Sequence, residues 1–333
     1  DLLISRNLPG SAGFSSTYYN QGSLNNKGVE FSLNAQIIDS SSWKWSVSGN
    51  IGVNRNEISD LGLLPADFGC LGERVGYYGN SLGDHFGVGH IFLAGEAPGL
   101  FYGYVTQGIV QKEDITENGI KYIKQDGSVG YYQTVNKTTP VAGDVKYVDR
   151  NGDGVVDDND RDIIGNPNPD FTYGFQTKVS WKSLSLSASF NGVQGRDILN
   201  VGNRYNNTPG TKSNNVTRKA FQNMWTDENP SNLYPKSTFV VQNMVMDRYV
   251  EDGSYLRCSD ITLSYVLPAK WTNKIGIKNT SVYASVKNAF VITDYSGYDP
   301  EVNSFAFDGL RPGVDMNSYP TPRSFVFGLN LTF

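Results

Sequence analysis

The sequence is poor in the residues and runs that identify many protein classes. Its 333 residues include only 2 Cys, 2 His and 4 Met, and no apolar run approaches the roughly 20 residues that a membrane-spanning helix needs. A helical membrane protein is therefore excluded. His85 and His90 lack a nearby Cys or a Glu-x-x-His context, so we interpret them as ordinary structural residues. Sequence does not decide whether Cys70 and Cys258 pair, and we favour free thiols.

Positive charge and catalytic motifs are also lacking. The formal net charge is −5 and there is no basic tract, which argues against binding to nucleic acid. The sequence contains no Gly-x-Ser-x-Gly elbow, P-loop or dinucleotide fingerprint. Carboxylates such as Glu96, Asp294, Asp299 and Glu301 would permit a glycosidase only if two lay about 5 to 10 Å apart, and no spacing places a pair so. We predict that the protein is not an enzyme.

Glycine and aromatic residues are abundant, with 36 Gly, 20 Tyr and 17 Phe. From Phe171 to Trp181 the odd positions are apolar or aromatic, apart from Thr177, and the even positions are polar or Gly. The pattern resumes in residues 184–190. Such alternation over about ten residues, with aromatics at the ends, is typical of a transmembrane β-barrel strand.

Nine segments are predicted as strands on this basis: 28–37, 43–53, 85–93, 100–110, 171–181, 184–190, 255–267, 275–292 and 323–333. Residues 1–26 are predicted as the end of an exposed loop. Short links alternate with long loops over 112–170, 195–254 and 293–321, as periplasmic turns alternate with extracellular loops in outer-membrane barrels. A nine-stranded open sheet would leave unpaired edges in lipid, so we expect further strands to complete the barrel. The chain begins with Asp1 and lacks a signal-peptide pattern, which predicts a fragment or a processed piece.

A carboxylate-rich segment follows the pattern of a calcium-binding EF-hand loop. Oxygen-bearing side chains occupy positions 1, 3, 5, 9 and 12, with Gly154 at position 6: Asp149, Asn151, Asp153, Asp157 and Asp160. Position 12 is Asp where Glu is usual, and no flanking helices are predicted. We favour an isolated calcium site over a solvated loop rich in Asx turns.

Aromatic and amide side chains in the long loops suit the binding of sugars or peptides. The candidates for substrate or partner contact are Tyr205, Asn206, Asn207, Trp225 and Tyr234. Aromatics also form the interfacial girdles of any barrel, so residue type alone does not decide their role.

Several ordered motifs resemble the SusC/RagA type of TonB-dependent outer-membrane transporters. They are Asn26-Lys-Gly-Val-Glu30, Gly143-Asp-Val-Lys-Tyr147, Ile164-Gly-Asn-Pro-Asn-Pro-Asp-Phe-Thr-Tyr-Gly174, Gln194-Gly-Arg-Asp-Ile198, Tyr255-Leu-Arg-x-x-Asp-Ile-Thr-Leu-Ser-Tyr265, Lys287-Asn-Ala-Phe290, Gly297-Tyr-Asp-Pro-Glu301, Tyr319-Pro-x-Pro-Arg-Ser-Phe325 and Leu329-x-Leu-Thr-Phe333. The resemblance implies that residues 1–333 form the C-terminal part of a 22-stranded antiparallel barrel in the outer membrane.

The same resemblance implies an active importer of glycans or peptides that is closed by a SusD-like surface lipoprotein and energised through TonB. The N-terminal plug and the TonB box of that family are absent from these residues. A different class stays open: a secreted, calcium-stabilised β-sandwich that binds glycans or acts as an adhesin. It would have shorter strands and would be soluble without detergent.

Overall fold

The structure is a computed structural model that describes most of the chain: residues 2–7, 10–14, 16–61, 76–77, 82, 88–208, 215–237, 244–272, 277, 279–306, 309 and 311–332. Cys70 and His85 lie outside these residues.

The described residues are mostly β-structure. In chain order the strands are β1 (Leu2–Asn7), β2 (Ser16–Asp39), β3 (Trp43–Asp60), β4 (Gly76–Tyr77), β5 (His90–Leu93), β6 (Leu100–Tyr104), β7 (Thr106–Ile109), β8 (Ile115–Thr116), β9 (Gly119–Ile123), β10 (Val129–Tyr132), β11 (Thr134–Val135), β12 (Val145–Tyr147), β13 (Val155–Val156), β14 (Arg161–Gly165), β15 (Phe171–Trp181), β16 (Leu184–Gln194), β17 (Asp197–Asn200), β18 (Val250–Asp252), β19 (Tyr255–Val266), β20 (Asn279–Thr293), β21 (Val314–Asp315) and β22 (Ser324–Thr332). The α-helices are short: α1 (Val201–Asn207), α2 (Arg218–Asn223) and α3 (Ala269–Thr272). None of the helices in the described part of the chain has the length and apolarity to cross a membrane.

Eight long strands form one antiparallel sheet, which we call the barrel sheet, in the order β1-β2-β3-β15-β16-β19-β20-β22. Neighbours in this sheet are neighbours in the chain once the small strands are set aside. Short links over 40–42, 182–183 and 267–278 lie at one end, and long segments over 61–170, 195–254 and 294–323 leave the other end. The predicted alternation of short and long connections is therefore confirmed from β2 onward, whereas the connection between β1 and β2 is short and lies at the loop end. We call the described residues of the three long segments the loop body.

The strand prediction was wrong in two places. Segments 85–93 and 100–110 are not barrel strands, because their described parts form the short strands β5, β6 and β7 within the loop body. Residues 1–26, predicted as loop, contain β1 and the first part of β2. The barrel sheet thus has eight strands where nine were predicted.

The two faces of the barrel sheet differ in polarity, and the register explains why. Cross-strand neighbours point to the same face, so the alternation of each strand adds up to rows that cross the sheet. One row is apolar over six strands: Trp45, Val179, Leu186, Leu263, Ala284 and Phe327. The row beside it on the opposite face is polar: Ser46, Lys178, Ser187, Thr262 and Ser285, ending at Val326.

The apolar face has no layer packed over it among the described residues. Val29 is 73% exposed, Phe325 67% and Phe327 80%. Trp43 stacks on Trp181 at the end of the sheet that carries the short links, with ring centroids 5.9 Å apart. Exposed apolar rows with aromatics at their edge are what a lipid-facing barrel wall requires. The predicted all-β, antiparallel barrel fold is confirmed.

The loop body, in contrast, has a hydrophobic core. Segment 112–170 was predicted as a long polar loop, but it folds into small sheets around buried tyrosines: Tyr104, Tyr122, Tyr132 and Tyr147. A second cluster surrounds Phe101 and includes Leu199, Val201, Val245 and Val314 from the other two long segments. The three segments therefore pack into one body above the sheet.

Cys258 of β19 is a free thiol and is fully buried. Its cross-strand neighbours are Phe190 and Phe290, which belong to a row of aromatic contacts that continues to Phe175. The thiol acts here as a small apolar side chain.

Candidate functional site

The family-like motifs meet where the loop body joins the barrel sheet. Arg257 of β19 donates a hydrogen bond from Nη2 to Asp299, and its Nε lies 3.1 Å from Oε1 of Glu301. Asn191 also donates to Glu301, at 3.0 Å. Because Arg257 is 5% exposed and Asp299 8% exposed, this ion pair is buried, whereas Glu301 lies at the surface.

The charge state of Asp299 follows from this arrangement. Burial alone would raise the pKa of the Asp299 carboxyl, but hydrogen bonds from Glu301 and Thr321 and the Arg257 guanidinium hold it below its usual range. The acid is therefore ionised at neutral pH and can anchor the last long segment to the sheet.

A second set of hydrogen bonds, made by Arg196 and Asp197, connects all three long segments. Arg196 donates from Nη2 to the carbonyl oxygens of Pro300, at 2.9 Å, and Val302, at 3.3 Å. The neighbouring Asp197 accepts a hydrogen bond from the backbone N–H of Asn166 at 2.7 Å. Asp197 is the first residue of β17, the central strand of the sheet β18-β17-β21, which joins the second and third segments. The motifs that carry the resemblance thus have a structural role in this chain.

The polar face of the barrel sheet contains two open cavities. The larger, about 540 Å³, lies at the loop end and is lined by amide side chains, by Glu30 and by Phe171; the amides are Asn26, Asn54, Asn56 and Asn168. The Oδ1 atom of Asn56 is buried there and has no hydrogen-bond partner within the described part of the chain. A second cavity of about 330 Å³ follows on the same face, among Ser32, Asn34, Ser48, Asn50 and Gln176. Neutral amides and hydroxyls that face a pore can exchange hydrogen bonds with a passing polar solute.

The predicted contact residues do not all have the environment of a binding site. Trp225 is 8% exposed, and its Nε1 donates to Gln111 at 3.1 Å, so it is a packing residue of the loop body. Asn206 is exposed and donates to Asn317 at 3.2 Å. Tyr205 lies in α1, and its side chain is outside the described part of the structure.

Asn207 and Tyr234 do meet, in a pocket of about 200 Å³ between α1, α2 and the segment around Leu233. We call it the Arg248 pocket. Its lining residues are Asn203, Asn207, Thr208, Lys219, Leu233, Tyr234, Pro235, Arg248 and Tyr249. Sequence reasoning missed Arg248 and Lys219 because no motif or spacing marks either cation.

The acidic loop folds around two buried carboxylates at its ends. Asp149 accepts hydrogen bonds from the backbone N–H groups of Gly152, at 2.6 Å, and Gly154, at 2.9 Å. Asp160 accepts from the N–H groups of Arg150, Asn151 and Asp157. Burial raises the pKa of the Asp160 carboxyl. The three hydrogen-bond donors lower this pKa, and the negative charge of Asp149 raises it further, so that the net shift is upward. Burial, together with both carboxylates, also raises the pKa of Tyr122 to about 12.

The other three predicted ligands make local hydrogen bonds. Asn151 donates to Asp153 at 3.0 Å, Asp153 accepts from Val155 N–H at 2.8 Å, and Asp157 accepts from Asn159 N–H at 2.8 Å. Within the described residues, no three His, Cys, Asp or Glu side chains lie close enough together to hold a metal ion. The donor types suit calcium, but in this conformation the carboxylates face backbone N–H groups, so a cation would have to replace some of these bonds.

Comparisons with known proteins agree on one family. No family model matches the chain. Three curated relatives match all of it: the TonB-dependent receptors P26 and P3 of Formosa agariphila, at 31% and 33% identity, and the TonB-dependent receptor SusC of Bacteroides thetaiotaomicron, at 32% identity. The chain spans 31%, 31% and 29% of their respective lengths.

Solved structures give the same result. The chain superposes over its whole length on 32% of a chain in the structure of the RagAB peptide transporter, with a TM-score of 0.70 and 26% identity. The RagAB peptide importer in its "closed-closed" state gives a TM-score of 0.69 at 28% identity, again over 32% of that chain. The resemblance inferred from the motifs is therefore confirmed: this outer-membrane β-barrel chain is similar, over its whole length, to about a third of TonB-dependent receptors of the SusC/RagA type.

Proposed function

We propose that the protein carrying this chain imports oligosaccharides or peptides across the outer membrane. In this proposal, the chain supplies the C-terminal strands of the barrel, and further strands pair with its edges β1 and β22. The plug and the TonB box then lie elsewhere in the protein. Named relatives that are TonB-dependent receptors, and a neighbour described as a peptide transporter, support this function.

The observation that carries the proposal is the pair of unlike faces of the barrel sheet. An uncovered apolar face suits lipid, and the polar face with its amide-lined cavities suits a hydrated pore. The alternative, a secreted β-sandwich, requires a second sheet packed about 10 Å from the apolar face. Within the described residues no such sheet is present.

Migration of the intact, full-length protein on a gel with and without heating separates these two functions. A barrel transporter should require detergent for extraction and should migrate differently after boiling. A protein that is soluble without detergent, and whose migration is unchanged by heat, would support the sandwich.

TonB dependence and the type of cargo are tested by uptake. Cells that express the full-length protein should accumulate labelled oligosaccharide or peptide, and accumulation should stop when TonB is deleted. Equal accumulation without TonB would contradict active import. Comparing neutral oligosaccharides with peptides of similar mass would determine the class of cargo.

A SusD-like lipoprotein is the proposed partner, and the loop body offers an apolar surface for it. One face of the β8-β9-β10 hairpin sheet is buried through Tyr122 and Tyr132, while the other exposes Ile123 at 45%, Val129 at 44% and Tyr131 at 39%. Exposed apolar patches on a folded body mark interaction surfaces. Ile123→Lys should therefore reduce co-purification of the lipoprotein with the barrel.

The matched control is Asn118→Lys, which adds the same charge at the β8–β9 turn of the same small sheet without removing an apolar side chain. Heat-dependent migration should be unchanged in both variants. Loss of the partner in both variants, or in neither, would show that this face is not the docking surface.

Calcium binding by Asp149, Asn151, Asp153, Asp157 and Asp160 is also proposed. Calcium should slow protease cleavage within residues 146–164, and Asp153→Ala should remove that protection because one ligand is lost. Because Asp153 also accepts hydrogen bonds from Asn151 and Val155, the cleavage rate of the variant in chelator is the reference for its rate in calcium. Cleavage at the same rate in calcium and in chelator would contradict the site.

A further inference from the structure

The Arg248 pocket combines positive charge, amide groups and aromatic surface, and none of its described lining residues is acidic. Arg248 and Lys219 are its two cations, and Tyr234 and Tyr249 are its aromatic residues. Lys219 is exposed and forms no ion pair within the described part of the chain. The positive charge of the pocket is therefore not neutralised by its own lining.

The Arg248 side chain is fixed by one hydrogen bond, but not all of its hydrogen-bond donors have an acceptor. Its Nη2 donates to the carbonyl oxygen of Leu233, which fixes the guanidinium against one wall of the pocket. Its Nη1 is buried and has no hydrogen-bond partner among the residues that the structure describes. A buried charged donor without a partner is destabilising, so an acceptor that entered the pocket would restore the missing hydrogen bond.

The neighbouring groups restrict the type of acceptor. Asn203 is engaged with Glu251 at 2.9 Å, and Asn207 accepts from Thr217 at 2.7 Å, which leaves the side-chain NH2 of Asn207 as a donor. A planar, bidentate anion matches the guanidinium fork. The volume of about 200 Å³ suits one terminal group of a larger molecule.

We propose that the Arg248 pocket binds a carboxylate group of the cargo at the loop end of the barrel. This inference rests on the proposed import function and specifies which cargo the protein prefers. The carboxylate could belong to the C-terminus or an acidic side chain of a peptide, or to a uronate at the end of an oligosaccharide. The recognition chemistry is the same for these sources.

Binding of paired probes to the full-length protein in detergent tests the proposal. The probes are a hexapeptide with a free C-terminus and its C-terminal amide, and an oligosaccharide ending in glucuronate and its glucose-terminated equivalent. At least one acid should bind about tenfold or more tightly than its neutral partner, and the pair that discriminates identifies the source. Equal affinities within both pairs would overturn the proposal.

Variants of the lining residues test whether the preference for the acidic probe depends on the Arg248 pocket. Arg248→Gln should reduce binding of the preferred acid to the level of its neutral partner, and Lys219→Gln, at an exposed position with no ion pair to lose, should reduce it several-fold. Lys121→Gln, an exposed lysine outside the pocket, is the control and should have no effect. A preference for the acid that survives in both pocket variants would place the carboxylate site elsewhere.

Uptake separates failure of this inference from failure of the import function. If neutral and acidic probes are imported equally, the pocket assignment is wrong while import stands. If no probe is imported by a correctly inserted barrel, the proposed function itself fails.

Discussion

The barrel sheet and the loop body place their apolar side chains in different surroundings. In the barrel sheet, apolar residues such as Phe325 and Val29 form one exposed face, and among the described residues no second layer covers them. In the loop body, residues such as Phe101, Tyr132 and Tyr147 are fully buried in small clusters. The first arrangement is stable only in lipid, whereas the second is that of a water-soluble domain.

Alternation of side chains along one strand therefore indicates a sheet with two unlike faces, whereas burial of single residues indicates packing between separate segments. The barrel sheet depends on the continuity of rows over many strands, since each strand contributes only one or two side chains to a row. The loop body depends on packing between segments that are distant in sequence. Mutations in the barrel sheet should therefore impair assembly in the membrane, and mutations in the loop body should impair local packing.

The largest expected effect is in the loop-body core. Phe101→Ala should cost about 3–5 kcal/mol, because Phe101 is fully buried and its removal leaves a cavity. Rapid protease cleavage within the loops, with unchanged heat-dependent migration of the barrel, is the expected result. Phe221→Ala is the control, since Phe221 is 64% exposed. If the Phe101→Ala protein failed to insert into the membrane, the two regions would fold as one unit, which would contradict their separate stabilisation.

The next effect concerns the lipid face. Val179→Arg should cost up to about 2 kcal/mol and impair assembly, because it places a charge in an apolar, lipid-facing row two residues from the end of β15. Lys178→Glu is the matched control on the opposite, polar face of the same strand. Urea unfolding of the protein in lipid vesicles would measure both. Equal tolerance at the two positions would contradict the assigned facing.

The smallest effect is at the boundary between the regions. Arg55 of β3 pairs with Asp170 at 2.9 Å, but both side chains are about 60% exposed, so Arg55→Gln should change stability by about 1 kcal/mol or less. Arg257→Gln should cost several times more because it leaves Asp299 buried without its cation. The same urea experiment compares them, and a similar cost for the two variants would show that burial does not control these ion pairs.

Sequence alone predicted the barrel strands well where alternation was strict. The strand Phe171–Trp181 has the predicted ends, and predicted segment 323–333 is Ser324–Thr332 in the structure. The end of β16 was set too early, since the strand continues to Gln194 through the less regular Gly-Val-Gln. The first part of β2 was missed because Gly, Ser and Asn there resemble a loop, although backbone pairing to β1 and β3 makes it a strand.

The loop body was harder to predict for a physical reason. Short runs such as His90-Ile-Phe-Leu93 are apolar on both faces, and a small buried strand cannot be distinguished from part of a barrel strand by composition. Two residues that line the Arg248 pocket, Asn207 and Tyr234, were among the candidates named from the sequence. Its cations come from separate elements, so only the fold brings them together.

The lengths of the strands have a consequence for the shape of the protein outside the cell. The 11 residues of β15 rise about 33 Å along the strand, which at a tilt of about 40° spans roughly 25 Å, the height of the apolar band of a barrel. Thr172, near the upper end of β15, is level with Gly52 of β3 and Glu30 of β2. From Glu30 back to Ser16, β2 therefore continues about 46 Å along the strand, or roughly 35 Å above the bilayer at the same tilt. On this side the barrel wall extends outward as a rigid β-ribbon, and a large molecule approaching from that side reaches the ribbon before it reaches the mouth of the pore.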